Sequence, residues 1–151
     1  MNTKVIGIGN RIMMDDAIGI RVLEELEEEL KGLSLECIIG ETDIEFTLNA
    51  INNGDFIIII DSSYFGNKPG TVLSMELNQL KRFNEKVYSL HQLSLVKIIN
   101  NFKHLNITGK LITIEAGKID FGLELSEEIS MQLELIKEKV LIEVKKGIEF
   151  A

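Results

Sequence analysis

At 151 residues the chain is long enough for one domain with a substantial core and short for two, since domains commonly run to about 100–150 residues. Its 45% hydrophobic and 26% charged residues exclude a disordered chain and a membrane-embedded one. Lysine and arginine number 16 against 24 acidic side chains, and the resulting charge of −8 repels a phosphate backbone, so nucleic acid is set aside as a partner.

The apolar stretch Lys4–Ile8 predicts a first strand. No apolar segment of the length of a secretion signal accompanies it and no membrane span follows, so the expected location is cytoplasmic, with no membrane partner. The spacing over Asp16–Lys31 predicts a helix: Ile18, Val22, Leu26 and Leu30 recur every four residues, and Glu24, Glu25, Glu27, Glu28 and Glu29 form a solvated side. A second strand is expected at Leu33–Ile39, where Cys37, the chain's single cysteine, reads as a buried structural thiol. A short helix fits Glu45–Asn52.

Phe56–Asp61 contains four consecutive isoleucines, Ile57 to Ile60, and a strand apolar on both faces belongs at the centre of a sheet covered on both sides. Pro69-Gly70 marks a turn before a strand at Thr71–Glu76. Leu90–Phe102 predicts a helix capped by Ser89, with Leu93, Val96 and Ile99 on one face. A fifth strand is expected at Lys110–Glu115. Ser126 then opens a last helix whose Ile129, Leu133, Ile136, Val140 and Val144 pack one stripe on the sheet. Strands alternating with amphipathic helices define an α/β fold, and no linker interrupts residues 1–151, which are expected to form one domain.

Two acidic features stand where such folds bind ligands. Gly7-Ile8-Gly9-Asn10 follows the first strand, and Asp15-Asp16 stands at the mouth of the first long helix. The glycines suggest dinucleotide binding, but the third glycine of that fingerprint is displaced by Arg11–Met14, and two carboxylates repel phosphate where they would attract a cation. Both aspartates also suit a purely structural role at a helix N-terminus. Asp61 ends the most apolar strand, in the position where open α/β sheets hold ligands, although an aspartate there also begins turns. His91, in the first turn of its predicted helix and off the apolar stripe, is the imidazole that can complete a mixed oxygen and nitrogen metal site; His104 competes but follows the helix's end.

Three separated segments resemble the [NiFe]-hydrogenase maturation endopeptidases. Gly7–Gly19 is similar to that family's N-terminal glycine, asparagine and acidic-pair motif, Phe56–Asp61 to the strand ending in its second acid, and His91-Gln92-Leu93 to its histidine motif. Pro69-Gly70-Thr71 also matches the turn into its next strand. The resemblance implies a three-layer αβα sandwich around a mostly parallel five-stranded sheet. It also implies metal-binding and catalytic roles for Asp16, Asp61 and His91, and removal of the C-terminal extension from a nickel-loaded hydrogenase large-subunit precursor. The nickel would be supplied by that precursor's active site, with other divalent metals as substitutes.

One segment departs from the pattern. Where the family has an aspartate, two glycines and threonine after its second strand, this chain has Ile39-Gly40-Glu41-Thr42. Asp43 keeps the face of an extended segment, and Glu41 restores the charge if a bulge redirects it. The departure supports an alternative function, a noncatalytic nickel- or precursor-binding protein of the same fold.

Overall fold

The computed structural model describes residues 2–82 and 106–149. Within them lie strands β1 (Thr3–Ile8), β2 (Glu36–Glu41), β3 (Phe56–Ser63), β4 (Val72–Glu76) and β5 (Thr108–Glu115). Helices α1 (Ile18–Gly32), α2 (Ile44–Asn49) and α3 (Glu127–Glu149) accompany them. The helix expected at Leu90–Phe102, with its Ser89 cap, lies outside the described residues.

The described strands form one sheet in the order β2-β1-β3-β5-β4. The first four are mutually parallel, and β4 runs antiparallel to β5 at the edge. All eight residues of β3 are buried, as its isoleucine run requires of the central strand. The two faces of β3 feed two cores. Ile58 and Ile60 join Val22, Leu26 and Leu30 of α1 and Ile129, Ile136, Val140 and Val144 of α3. Ile57 and Ile59 join Ile6, Ile8 and Leu111, with Ile44 and Leu48 of α2 packed against them. Helices therefore cover both faces of the sheet in three layers, with the α1 glutamates on the exposed or half-buried side.

Several boundaries differ from the sequence expectation, each through hydrogen bonds that periodicity does not encode. The first helix begins after a separate 3-10 turn, Met14–Ala17, and neither carboxylate of that turn caps a helix. Leu33 and Ser34, expected in β2, close α1 instead: the Leu33 and Leu35 amides return to Leu30 O, and Ser34 takes φ 63°. Asp43 caps α2 by accepting from the Phe46 amide at 2.9 Å, and the helix ends at Asn49, short of Asn52.

Candidate active site

After β1 the chain crosses through α1 to β2 on one side, whereas β3 is followed outward by β5 on the other. The carboxyl ends of β1 and β3 therefore flank the point where the strand order reverses, the usual ligand crevice of such sheets. Two glycines let the chain close on this point. Gly9 has φ 146° and leaves the room that the Asp16 carbonyl occupies. A side chain on Gly19 would lie 2.5 Å from the Ile60 carbonyl oxygen, so its absence lets the first turn of α1 rest directly on β3.

The result is a pair of buried acids beside one serine. Asp16 is fully buried; its Oδ2 accepts from the Asn10 amide and its Oδ1 from the Ser62 hydroxyl, both at 2.8 Å. Asp61 is 2% exposed, and its Oδ1 accepts from the Ser62 amide at 2.8 Å. Ser62 thus serves both carboxylates, one with each of its donors. Burial, then the charge of Asp16, pushes the Asp61 carboxyl well above its usual range, against the smaller opposing effect of the Ser62 amide. A site that holds two acids this way favours a proton or a cation between them.

Asp15 has a different task. Its Oδ2 accepts from the Gly117 and Lys118 amides and the Ser126 hydroxyl, and its Oδ1 from the Ser126 amide, all between 2.6 and 2.9 Å. It ties the turn before α1 to the start of α3. Met14, at φ 48°, is secured by its amide to Gly122 O at 3.0 Å, so a strained residue immediately precedes the acid pair.

The segment that departs from the family pattern is also accounted for. Ile39 packs against the core, and a bulge follows it, with Gly7 opposite Ile39 but Ile8 opposite Glu41. Glu41, at φ 51°, meets the Arg11 guanidinium, which also grips both oxygens of Glu24 at 3.0 Å. Asp43 is committed to its cap. The bulge exists, but it delivers Glu41 to Arg11.

Of the three expected site residues, the structure brings Asp16 and Asp61 together; His91 and the competing His104 lie outside the described residues. Among the described residues, no three histidine, cysteine, aspartate or glutamate side chains are grouped to hold a metal. The dinucleotide reading fails for a physical reason, since the Asn10 amide that would face a phosphate is given to Asp16. Half-buried Cys37 packs on the core, and burial pushes its thiol up, away from the reactive thiolate. Sequence reasoning missed Ser62, Thr113 and Glu115, all buried near these strand ends. Glu115 offered a signal, an acid ending an apolar strand; its carboxylate holds Ser63 Oγ and the Phe65 and Gly66 amides.

Fold and site together define an α/β protein with an acidic centre at the carboxyl ends of its parallel strands. The hydrogenase maturation protease family matches residues 20–143. The hydrogenase 2 maturation protease of Escherichia coli is 28% identical over 99% of this chain and 94% of that protein. The hydrogenase expression/formation protein HupD of Thiocapsa roseopersicina is 26% identical over 97% of this chain, which spans 66% of that relative's length. The structure of the hydrogenase maturating endopeptidase HybD from E. coli superposes with a TM-score of 0.76 at 25% identity, covering 97% of this chain and 93% of that one. The chain belongs to the hydrogenase maturation protease family, a family of hydrolytic enzymes.

Proposed function

We propose that this protein removes the C-terminal extension of a nickel-loaded [NiFe]-hydrogenase large-subunit precursor, using Asp16, Asp61 and His91, in the cytoplasm. The observation that carries the reading is the buried Asp16–Ser62–Asp61 cluster at the reversal of strand order, in a chain of the maturation protease family. Asp16 and Asp61 fit a divalent cation, because two hard oxygen donors repel each other in a buried place and a cation relieves that repulsion. His91 would add the nitrogen donor. A metal bound there supplies polarisation of the scissile carbonyl or a more acidic water.

The protein's own contribution is placement and proton handling. Ser62 and the Asn10 amide fix the Asp16 carboxylate, leaving little rotational freedom to lose when a ligand arrives. Asp61 is held toward its neutral form in the free protein; once ionised at the site, its carboxylate can take a proton from the attacking water and pass it to the leaving amine. Nickel in the precursor is part of the substrate in this scheme, and recognition of it by these acids would make cleavage follow metal insertion.

The test incubates the protein with nickel-loaded and nickel-free precursor and measures precursor mass. The expected result is loss of a C-terminal peptide from the loaded form alone, abolished in Asp16→Asn, Asp61→Asn and His91→Ala variants. Binding without shortening of a precursor that another maturation protease does process would overturn the proposal and favour the noncatalytic alternative.

A further inference from the structure

Thr113 lies opposite Asp61 in the parallel register of β3 and β5. Along β5, Ile112 and Ile114 face the α1 and α3 core while Leu111 faces the other, so Thr113 shares the face of Leu111. Asp61 alternates likewise with Ile58 and Ile60, and shares the face of Ile57 and Ile59. The two side chains therefore lie on the same face of adjacent strands, whose backbones run about 4.8 Å apart.

Thr113 is 2% exposed, and among the described residues its Oγ1 is the buried side-chain polar atom with no hydrogen-bond partner. A valine has the same shape and would fill the place without an unmade hydrogen bond. The next polar residue of β3 on this face is satisfied, since Ser63 Oγ donates to Glu115 at 3.0 Å. Asp61 uses Oδ1 for the Ser62 amide, and its other oxygen takes no hydrogen bond from the described residues. A buried hydroxyl without a partner and a carboxylate oxygen that takes no hydrogen bond from the described residues thus stand on neighbouring strands.

We infer that Thr113 is a positioning residue of this site: its hydroxyl donates to the Asp61 carboxylate and fixes that group's orientation when it binds a divalent cation. The movement needed is rotation about side-chain torsions, with no change in the sheet. Ligating carboxylates depend on such outer hydrogen bonds, whose removal typically lowers metal affinity 10–100-fold. The inference rests on the proposed role of Asp61 as a ligand.

The test titrates the free protein with Ni2+ alone by calorimetry, alongside urea unfolding without metal. Thr113→Val is expected to unfold at the same or higher urea concentration, since it deletes an unsatisfied hydroxyl, yet to bind Ni2+ about 10–100-fold more weakly. Thr113→Ser should bind within a few-fold of the unmodified protein. If valine prevents folding, Thr113→Ala set against Thr113→Ser gives the same contrast. Unchanged affinity in the hydroxyl-less variant, with binding lost in Asp61→Asn, overturns the role of Thr113 alone. Absence of Ni2+ binding by the unmodified protein, or binding indifferent to Asp61→Asn, overturns the ligand role of Asp61 and this inference with it.

Discussion

Asp15 and Asp16 are consecutive and equally buried, but their oxygens meet different groups. Asp15 collects three backbone amides and a hydroxyl from two other segments. Asp15→Ala would leave those donors dry, and the expected loss is about 3 kcal/mol or more in urea unfolding, with Asp15→Asn losing less. Asp61 presents the opposite case, a carboxyl that burial and Asp16 disfavour in its charged form. Asp61→Asn keeps an oxygen for the Ser62 amide and removes the like charge, so its urea midpoint at neutral pH should rise while precursor cleavage is lost. A midpoint that falls would show the Asp61 charge to be stabilising where it stands. The motif pattern picked out Asp16 and Asp61, but not the division of labour with Asp15, which depends on where Gly117 and Ser126 return in space.

The helix α1 and the strand β3 were legible because their signals are local: a four-residue apolar recurrence and an unbroken isoleucine run. The approach between them rests on Gly19, and it sets the separation of the two acids. Alanine is the better helix former by about 1 kcal/mol. If Gly19→Ala nevertheless loses about 1–3 kcal/mol, the loss comes from crowding against the Ile60 carbonyl. Displacing Asp16 from Asp61 by about 1 Å should also lower kcat/KM on the precursor about 100-fold. An alanine variant with full stability and full activity would mean that α1 is free to shift. The 3-10 turn at Met14–Ala17 and the bulge before Glu41 were not legible in the same way. Both put a non-glycine residue at positive φ, Met14 and Glu41, and are secured by distant partners, Gly122 and Arg11. Ser62 and Thr113 escaped notice because a hydroxyl acquires meaning only from the strand register that sets it beside an acid.

Across the whole molecule, the sheet buries charge at both ends, and the two ends respond to pH with opposite sign. At the amino ends of β1 and β3, Lys4 Nζ lies 2.6 Å from Asp55 Oδ2 and also donates to Ala50 O at 2.7 Å. Burial pushes the Asp55 carboxyl up, but Lys4 and the Asn52 amide outweigh it and leave it below its ordinary value of 3.8. With the folded pKa below the unfolded one, its stabilisation is present above the unfolded pKa and is lost as pH falls through the folded one. At the carboxyl ends, Asp61 is raised well above 3.8, so its contribution is present in full below the unfolded value and is lost as pH rises through the folded one. Stability should therefore peak at mildly acidic pH, fall toward pH 8, and fall again below about pH 4. The net charge of −8 pulls in the same direction as Asp61 on the alkaline side, but its self-repulsion is largely screened in 0.5 M salt, whereas the buried acid pair is screened much less. Urea midpoints measured from about pH 2.5 to 8 at low and high salt separate the two. The alkaline decline should survive salt in the unmodified protein and vanish in Asp61→Asn, while the acid decline persists in both. A profile that keeps rising to pH 8 at high salt would mean that the repulsion between Asp16 and Asp61 does not shape the stability of this fold.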